Sequence, residues 1–223
     1  MTTRTDEAIK KEVIDQLYWD DRVDASEINV TVDSGTVELE GNVGSYSAKG
    51  ATSTDAWAIE GVSTIDNKLN VKYPETFEVP SDDEIKTNIE TSLSLNLSID
   101  ISNIDVSVTA GIVTLEGSVD AYWKKVRAAS IASGITGVLD IINKLTIVPS
   151  ENFIDKDIAQ DIIDSISRNY KVNVDNVDVK VEDGKVILSG TVDDWSAYRA
   201  AMDAAEFTAG VIDVDDNLII ESL

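Results

Sequence analysis

Apolar residues recur along the chain in two periods, and each period is written three times. Ile9, Val13 and Leu17 fall at i, i+4 and i+8, the stripe of an amphipathic helix. The same stripe returns as Ile85, Ile89 and Leu93, and again as Ile158, Ile162 and Ile166. Beyond each stripe the period drops to two. Ile28, Val30 and Val32 alternate with polar neighbours, as do Ile104, Val106 and Val108, then Val177, Val179 and Val181, which predicts a strand with one buried face. After "DSG", "TAG" or "EDG" the alternation resumes in GTVELEGNV (35–43), GIVTLEGSV (111–119) and GKVILSGTV (184–192), so each pair of runs reads as a hairpin. An alanine-rich stretch then ends at Gly61, Gly137 or Gly210, where a residue able to take positive φ closes a helix. A last strand follows in each copy.

The predicted order is αββαβ, repeated. The pattern gives an α+β chain of three tandem domains over 1–75, 76–150 and 151–223, each a three-stranded sheet with two helices on one face. No copy needs an internal gap. The length difference falls between copies, in "YPETFEVP" (73–80) and "VPSEN" (148–152), which hold all three prolines. In the second copy Ser81 and Glu84 make a capping box at the start of the first helix. The repeated glycines read as structural. Gly35, Gly111 and Gly184 belong to the hairpin turn, while Gly41, Gly117 and Gly190 continue the inward phase of their strand and are expected to let a helix approach it closely.

Composition narrows the chemistry. Among 223 residues there is no cysteine and no histidine, which removes disulfides, thiol chemistry, finger-type zinc sites and the commonest general base near neutral pH. The net charge of -24 is spread over all three copies and disfavours nucleic acid as a partner. No apolar run reaches the length of a membrane span. The opening "MTTRTDEAIKKEV" has no apolar core of a signal peptide, so the chain as written reads as cytoplasmic, or as periplasmic if it is a mature form.

The G-x-V-x-L-x-G-x-V hairpin, the alanine-rich helix and the closing G-V-x-x-V-x-N-x-L-x-V, best seen at 61–71, resemble the BON domain family in all three copies. The third copy departs by placing Asp216 where Asn67 and Asn143 stand, a change expected to touch the fold little. The resemblance implies a non-catalytic module, often in tandem, found in osmotic-stress and envelope-associated bacterial proteins, with phospholipids or protein clients as proposed ligands. In layout the chain is similar to osmotically inducible periplasmic proteins with two such domains.

Several local patterns imitate chemistry and fail its geometry. "GNVGSYSAKGAT" (41–52) has Lys49 before Gly50, whereas a phosphate loop needs lysine after its second glycine. Asp213, Asp215 and Asn217 start a calcium loop, yet Leu218 stands where the sharp turn requires glycine. No G-x-S-x-G elbow occurs. The expectation is a protein that is not an enzyme and carries no metal or cofactor.

The repeat also sorts the aromatics, because a position that is polar in two copies is exposed in the third. Tyr46, Tyr122 and Trp195 align, and the simplest reading of that column is core. Trp57 aligns with Ser133 and Glu206, and Trp123 with Ser47 and Ser196, which turns both tryptophans off their own cores; Trp19 aligns with Leu95 and Arg168. An exposed tryptophan marks contact, either with a neighbouring domain or with an outside partner. Trp123, Lys124, Lys125 and Arg127 form the one basic aromatic cluster and, with Trp57, are the candidate contacts for a partner or a lipid headgroup. Three readings of function follow: a module binding protein clients multivalently, in a chaperone-like or scaffold role; a phospholipid-surface binder; and, third, a cation sensor.

Overall fold

The structure, a computed structural model, describes residues 4–221. The first domain runs α1 (Asp6–Trp19), β1 (Ile28–Asp33), β2 (Thr36–Val43), α2 (Tyr46–Trp57) and β3 (Thr64–Val71). The second repeats this as α3 (Asp82–Ser94), β4 (Ile104–Thr109), β5 (Ile112–Val119) and α4 (Tyr122–Ser133), with its last strand in two pieces, β6 (Asp140–Asn143) and β7 (Thr146–Ile147). The third is α5 (Asp155–Ser167), β8 (Val177–Glu182), β9 (Lys185–Val192), α6 (Trp195–Glu206) and β10 (Asp213–Ile220). A three-residue 3-10 turn precedes the hairpin in each: Ala25–Glu27, Ile101–Asn103 and Val174–Asn176.

Each domain has its own sheet, and the second hairpin strand lies in the middle. β2 pairs antiparallel with β1 and parallel with β3, so Val37 faces both Val32 and Ile65. The middle strand is thereby buried on both edges. The helical stripes Ile9/Val13/Leu17, Ile85/Ile89/Leu93 and Ile158/Ile162/Ile166 close over Val37/Leu39, Val113/Leu115 and Val186/Leu188, and all of these side chains are buried. At about 1.5–3 kcal/mol for each such side chain, these stripes hold the helices on the sheets. The cores remain those of very small domains, which leaves each marginal by itself.

The helix starts are made in different ways. Thr5 caps α1 by accepting from the Ala8 amide, and Ser81 and Glu84 form the reciprocal capping box on α3. The first residue of each first helix has a second task. Asp6, Asp82 and Asp155 each accept from two consecutive amides of the hairpin turn in their own domain, as when Asp155 takes Asp183 N at 2.8 Å and Gly184 N at 2.9 Å. Both turn residues have positive φ, at 50° for Asp183 and 74° for Gly184, the signature of a type I′ turn whose amides point the same way. A carboxylate at a helix start therefore pins the hairpin to the helix.

Gly41, Gly117 and Gly190 differ from the sequence-based reason given for them. No helix approaches there. A Cβ on Gly117 would lie 2.1 Å from the Asn103 carbonyl oxygen of the preceding 3-10 turn, and the glycine sits at φ 113°. Gly41 and Gly190 meet Glu27 O and Asn176 O in the same way. The position is closed by backbone, and it is closed three times.

Asp216 also has more structural consequence than its place in the motif suggests. Asn67 and Asn143 donate to the carbonyls of Lys49 and Lys125 on the neighbouring helix, which a carboxylate cannot do. In the third domain Tyr198 replaces that lysine, and its hydroxyl donates to Asp216 instead. Two departures from the repeat thus compensate one another.

Candidate functional site

The aromatic at the start of each second helix reaches out of its domain. Tyr46 packs against the second domain's core and feels the charge of Asp140, while Tyr122 packs against the third domain's core, near Glu206 and Asp213. Trp195, while packed at the edge of its own core, stacks on Trp57 of the first domain with centroids 4.4 Å apart and planes 5° from parallel, and Tyr198 stacks on its other side at 4.7 Å. The aligned column is a set of joints rather than core, because a residue at the first helical position projects from the domain end and not from the stripe facing the sheet. The receiving positions align as well. Trp57 and Glu206 are equivalent, and so are Asp140 and Asp213. One domain-to-domain step is used three times, and the third use brings the chain back to its start. The result is a closed ring with a pseudo-threefold axis.

Around this ring each domain exposes apolar side chains at the same end. At the C-terminus of α1 Tyr18 and Trp19 are 69% and 78% exposed, and in the turn after α3 Leu95 and Leu97 are 78% and 102% exposed. Tyr170 after α5 is 93% exposed, with Phe207 nearby across a cleft also lined by Lys171 and Arg199. Trp19 aligns with Leu95, and Leu97 with Tyr170, so each domain carries an apolar tip at the end of its first helix. Of these tips only Tyr18 is reached by the rule that a position polar in two copies is exposed in the third, since it aligns with Ser94 and Ser167; Tyr170 aligns with Leu97 as well as Asp21.

The predicted contact residues divide. Trp123 is half-buried and Lys124 lies 5.6 Å over its ring while pairing with Asp120 at 2.7 Å. Arg127 is exposed on the same helix, and Lys125 is half-buried, its carbonyl taken by Asn143. Trp123 stands at the place of Ser196, whose hydroxyl receives Lys171 from the turn after α5. Trp57 is not part of this cluster; it is spent on the joint with Trp195. No group of three acidic side chains placed to hold a metal occurs among the described residues, and none of their helices is long and apolar enough to cross a membrane.

The first domain carries one polar cluster that the others lack. Asp55 on α2 stands where the second and third domains have Ile131 and Ala204, and it is buried against Asp20 at the end of α1. Hydrogen bonds from Arg22 hold the Asp20 carboxyl well below the usual carboxylate range. Burial pushes the Asp55 carboxyl up, and its hydrogen bond with Asp20 and that residue's charge add to the rise, against a 3.3 Å hydrogen bond from Gln16. Oδ2 of Asp55 has no partner.

The family model described as "BON domain" matches residues 5–73, 81–149 and 154–222. Among curated proteins the chain is similar to "Osmotically-inducible protein Y" of Escherichia coli strain K12, 29% identical over 143 residues, or 63% of this chain and 71% of that one. Among solved structures it is aligned with CdsD, a structural protein of the type III secretion system of Chlamydia trachomatis, at 15% identity over 96% of this chain and 91% of the other, with a TM-score of 0.27. The C-terminal domain of CdsD aligns at 14% identity over 95% and 96% of the two chains, also with a TM-score of 0.27.

Proposed function

The chain belongs to the BON domain family, and from that premise we propose that it is a non-enzymatic, osmotic-stress-type interaction protein that holds protein clients multivalently on a three-domain ring. The observation that carries this reading is the exposed apolar side chains at the end of each domain's first helix: Tyr18 and Trp19, Leu95 and Leu97, and Tyr170, with Phe207 across a cleft from Tyr170. A chain that buries its stripes so completely leaves these side chains in water at a repeated position. Each tip offers a small apolar contact of modest affinity, and a rigid ring makes the second and third contacts intramolecular. The surrounding acidity keeps the free protein from associating through the same tips.

The test is a titration of a permanently unfolded model client with chains carrying Trp19→Ser, Leu97→Ser and Tyr170→Ser, singly and together. Single changes should weaken binding several-fold each, and the triple change should abolish it with the melting profile intact. Binding that survives the triple change would defeat the reading.

A second reading, binding to a phospholipid surface, is favoured by Trp123 with Lys124 over its ring and Arg127 exposed on the same helix. Co-sedimentation with anionic vesicles that is lost in Trp123→Ser, and absent with zwitterionic vesicles, would select it over the first.

A further inference from the structure

The joint between the third and first domains differs from the other two in having no chain running through it. Each of the three joints is heterologous: the aromatic at a second-helix start of one domain meets the second-helix end and third-strand start of the next. Such an interface makes a ring when the rotation closes and a chain of copies when it does not. Nothing covalent distinguishes the first domain of the same chain from that of another copy. The joint is also loosely filled, since clefts of about 650 and 590 Å³ flank the Trp57–Trp195 stack, and Trp57, Ile220 and Glu221 line both. Carboxylates of Glu60 on one side and Asp193, Asp194 and Glu221 on the other line the second cleft. The Trp57–Trp195 stack, with Trp57 also packed against the third domain's core, holds this joint.

We propose that this joint is exchangeable between copies: the ring opens, and Trp195 of one chain seats on Trp57 of a second copy, joining two chains head to tail. Within one chain the other two joints hold the partners at an effective concentration in the millimolar range, so the closed monomer dominates at micromolar protein. Exchange becomes visible when the internal option is removed.

Two full-length variants do this. Trp57→Ser installs the residue that the second domain carries at that place, Ser133, and Trp195→Ser removes the donor. Each chain lacks its own stack, but the first still supplies Trp195 and the second still supplies Trp57. Sedimentation velocity and circular dichroism should show two expanded monomers without the exciton signal of stacked indoles. Their equimolar mixture at several hundred micromolar should give a species of doubled mass in which that signal returns. A mixture whose mass and spectrum equal the average of its components would overturn the proposal. Should either variant fold poorly, refolding the unaltered chain at rising concentration gives the same decision: a dimer fraction that grows with concentration supports exchange, and monomer at every concentration overturns it.

Discussion

The two linked joints and the unlinked one are built from the same parts but with different aromatics at the contact. Where a linker already holds the domains together, the inserted residue is a tyrosine, and the receiving patch carries Asp140 in one case and Glu206 with Asp213 in the other. Where no linker exists, both sides carry tryptophan, and Tyr198 extends the stack to three rings. A linker supplies the effective concentration that a free interface lacks, so a linked joint tolerates a polar and partly charged seat. An unlinked joint closes only on its own contact energy, and a stacked aromatic pair adds about 0.5–1.5 kcal/mol beyond the area it buries. The asymmetry in residue type follows the asymmetry in covalent connection.

The largest expected effect removes the middle domain from this comparison. Gly117→Val places a Cβ within 2.1 Å of a backbone oxygen at a φ of 113°, so neither a rotamer change nor a small shift relieves it. Overpacking alone costs about 1–3 kcal/mol, and the positive φ adds about 1–3 more, enough to unfold a domain of this size. Hydrogen exchange should show the second domain open while the Trp57–Trp195 stack persists. Loss of the stack together with the second domain would mean that the unlinked joint has no stability of its own.

Trp195→Ser and Tyr122→Ser come next, compared side by side. Truncating a central aromatic at a joint costs about 2–4 kcal/mol of contact energy. After Trp195→Ser the joint between the third and first domains loses its central contact and has no linker to replace it, so small-angle scattering should report an opened chain. After Tyr122→Ser the linker at 148–152 keeps the domains adjacent, and the change in size should be small. Equal expansion in the two variants would break the comparison.

The joints show where sequence reasoning reaches and where it stops. Hairpins, helical stripes and turn glycines were legible because each is dictated by local period, and three copies in one register removed the ambiguity of any single one. The polar-equivalent rule read Trp57 and Trp123 off their core faces; Trp57 packs against its own domain's core and also stacks on Trp195 of the third domain. The same alignment misplaced Tyr46 and Tyr122, because a column that is aromatic in every copy has the same pattern whether it fills a core or a repeated joint. Gly41 and its equivalents were assigned to a helix contact because inward phase does not say which element lies opposite, and the 3-10 turn that does has no period to read. The turn clamp by Asp6, Asp82 and Asp155 was hidden for another reason. A carboxylate at the first position of a helix is already accounted for by the helix dipole, and only the fold reveals its second partner.

The helix that presents Trp57 carries the next expected effect. Asp55→Ile gives the first domain the residue of the second and removes a buried carboxyl with an unpartnered oxygen. Replacement of such a group by a packed apolar side chain is expected to stabilise the first domain by about 1–3 kcal/mol near neutral pH. The pH dependence has a definite sign. Asp55 has a raised folded value, so its protonated form contributes stability that is complete below the unfolded carboxylate value and is lost as pH rises through the folded one. Asp20, held low by Arg22, contributes in the opposite sense and loses its share only at strongly acid pH. The opening free energy of the first domain, taken from exchange corrected for the intrinsic pH dependence of amide exchange, should therefore fall from weakly acid toward neutral pH in the unaltered chain and stay level in Asp55→Ile, with the other two domains as internal controls.

The smallest effect concerns the start of α4, the helix that presents Tyr122 to the third domain. Ser45 and Asp194 cap α2 and α6 by accepting from the amides of Ala48 and Ala197 at 3.1 and 2.7 Å. The equivalent residue of the second domain is Ala121, which has the extended backbone of a cap, φ -150° and ψ 147°, but no side-chain acceptor. Ala121→Ser supplies the missing hydroxyl without changing the backbone, and caps of this kind contribute about 0.5–2 kcal/mol. The second domain should gain about 1 kcal/mol in a denaturant titration read by exchange of α4 amides. Because Tyr122 is the first residue of that helix, ordering its first turn should also tighten the linked joint, visible as reduced exposure of Tyr122 to a small quencher. A gain in the stability of α4 with Tyr122 equally accessible would show that the linked joint depends on its linker and not on the order of the helix start, and would sharpen the contrast with the joint that tryptophan closes alone.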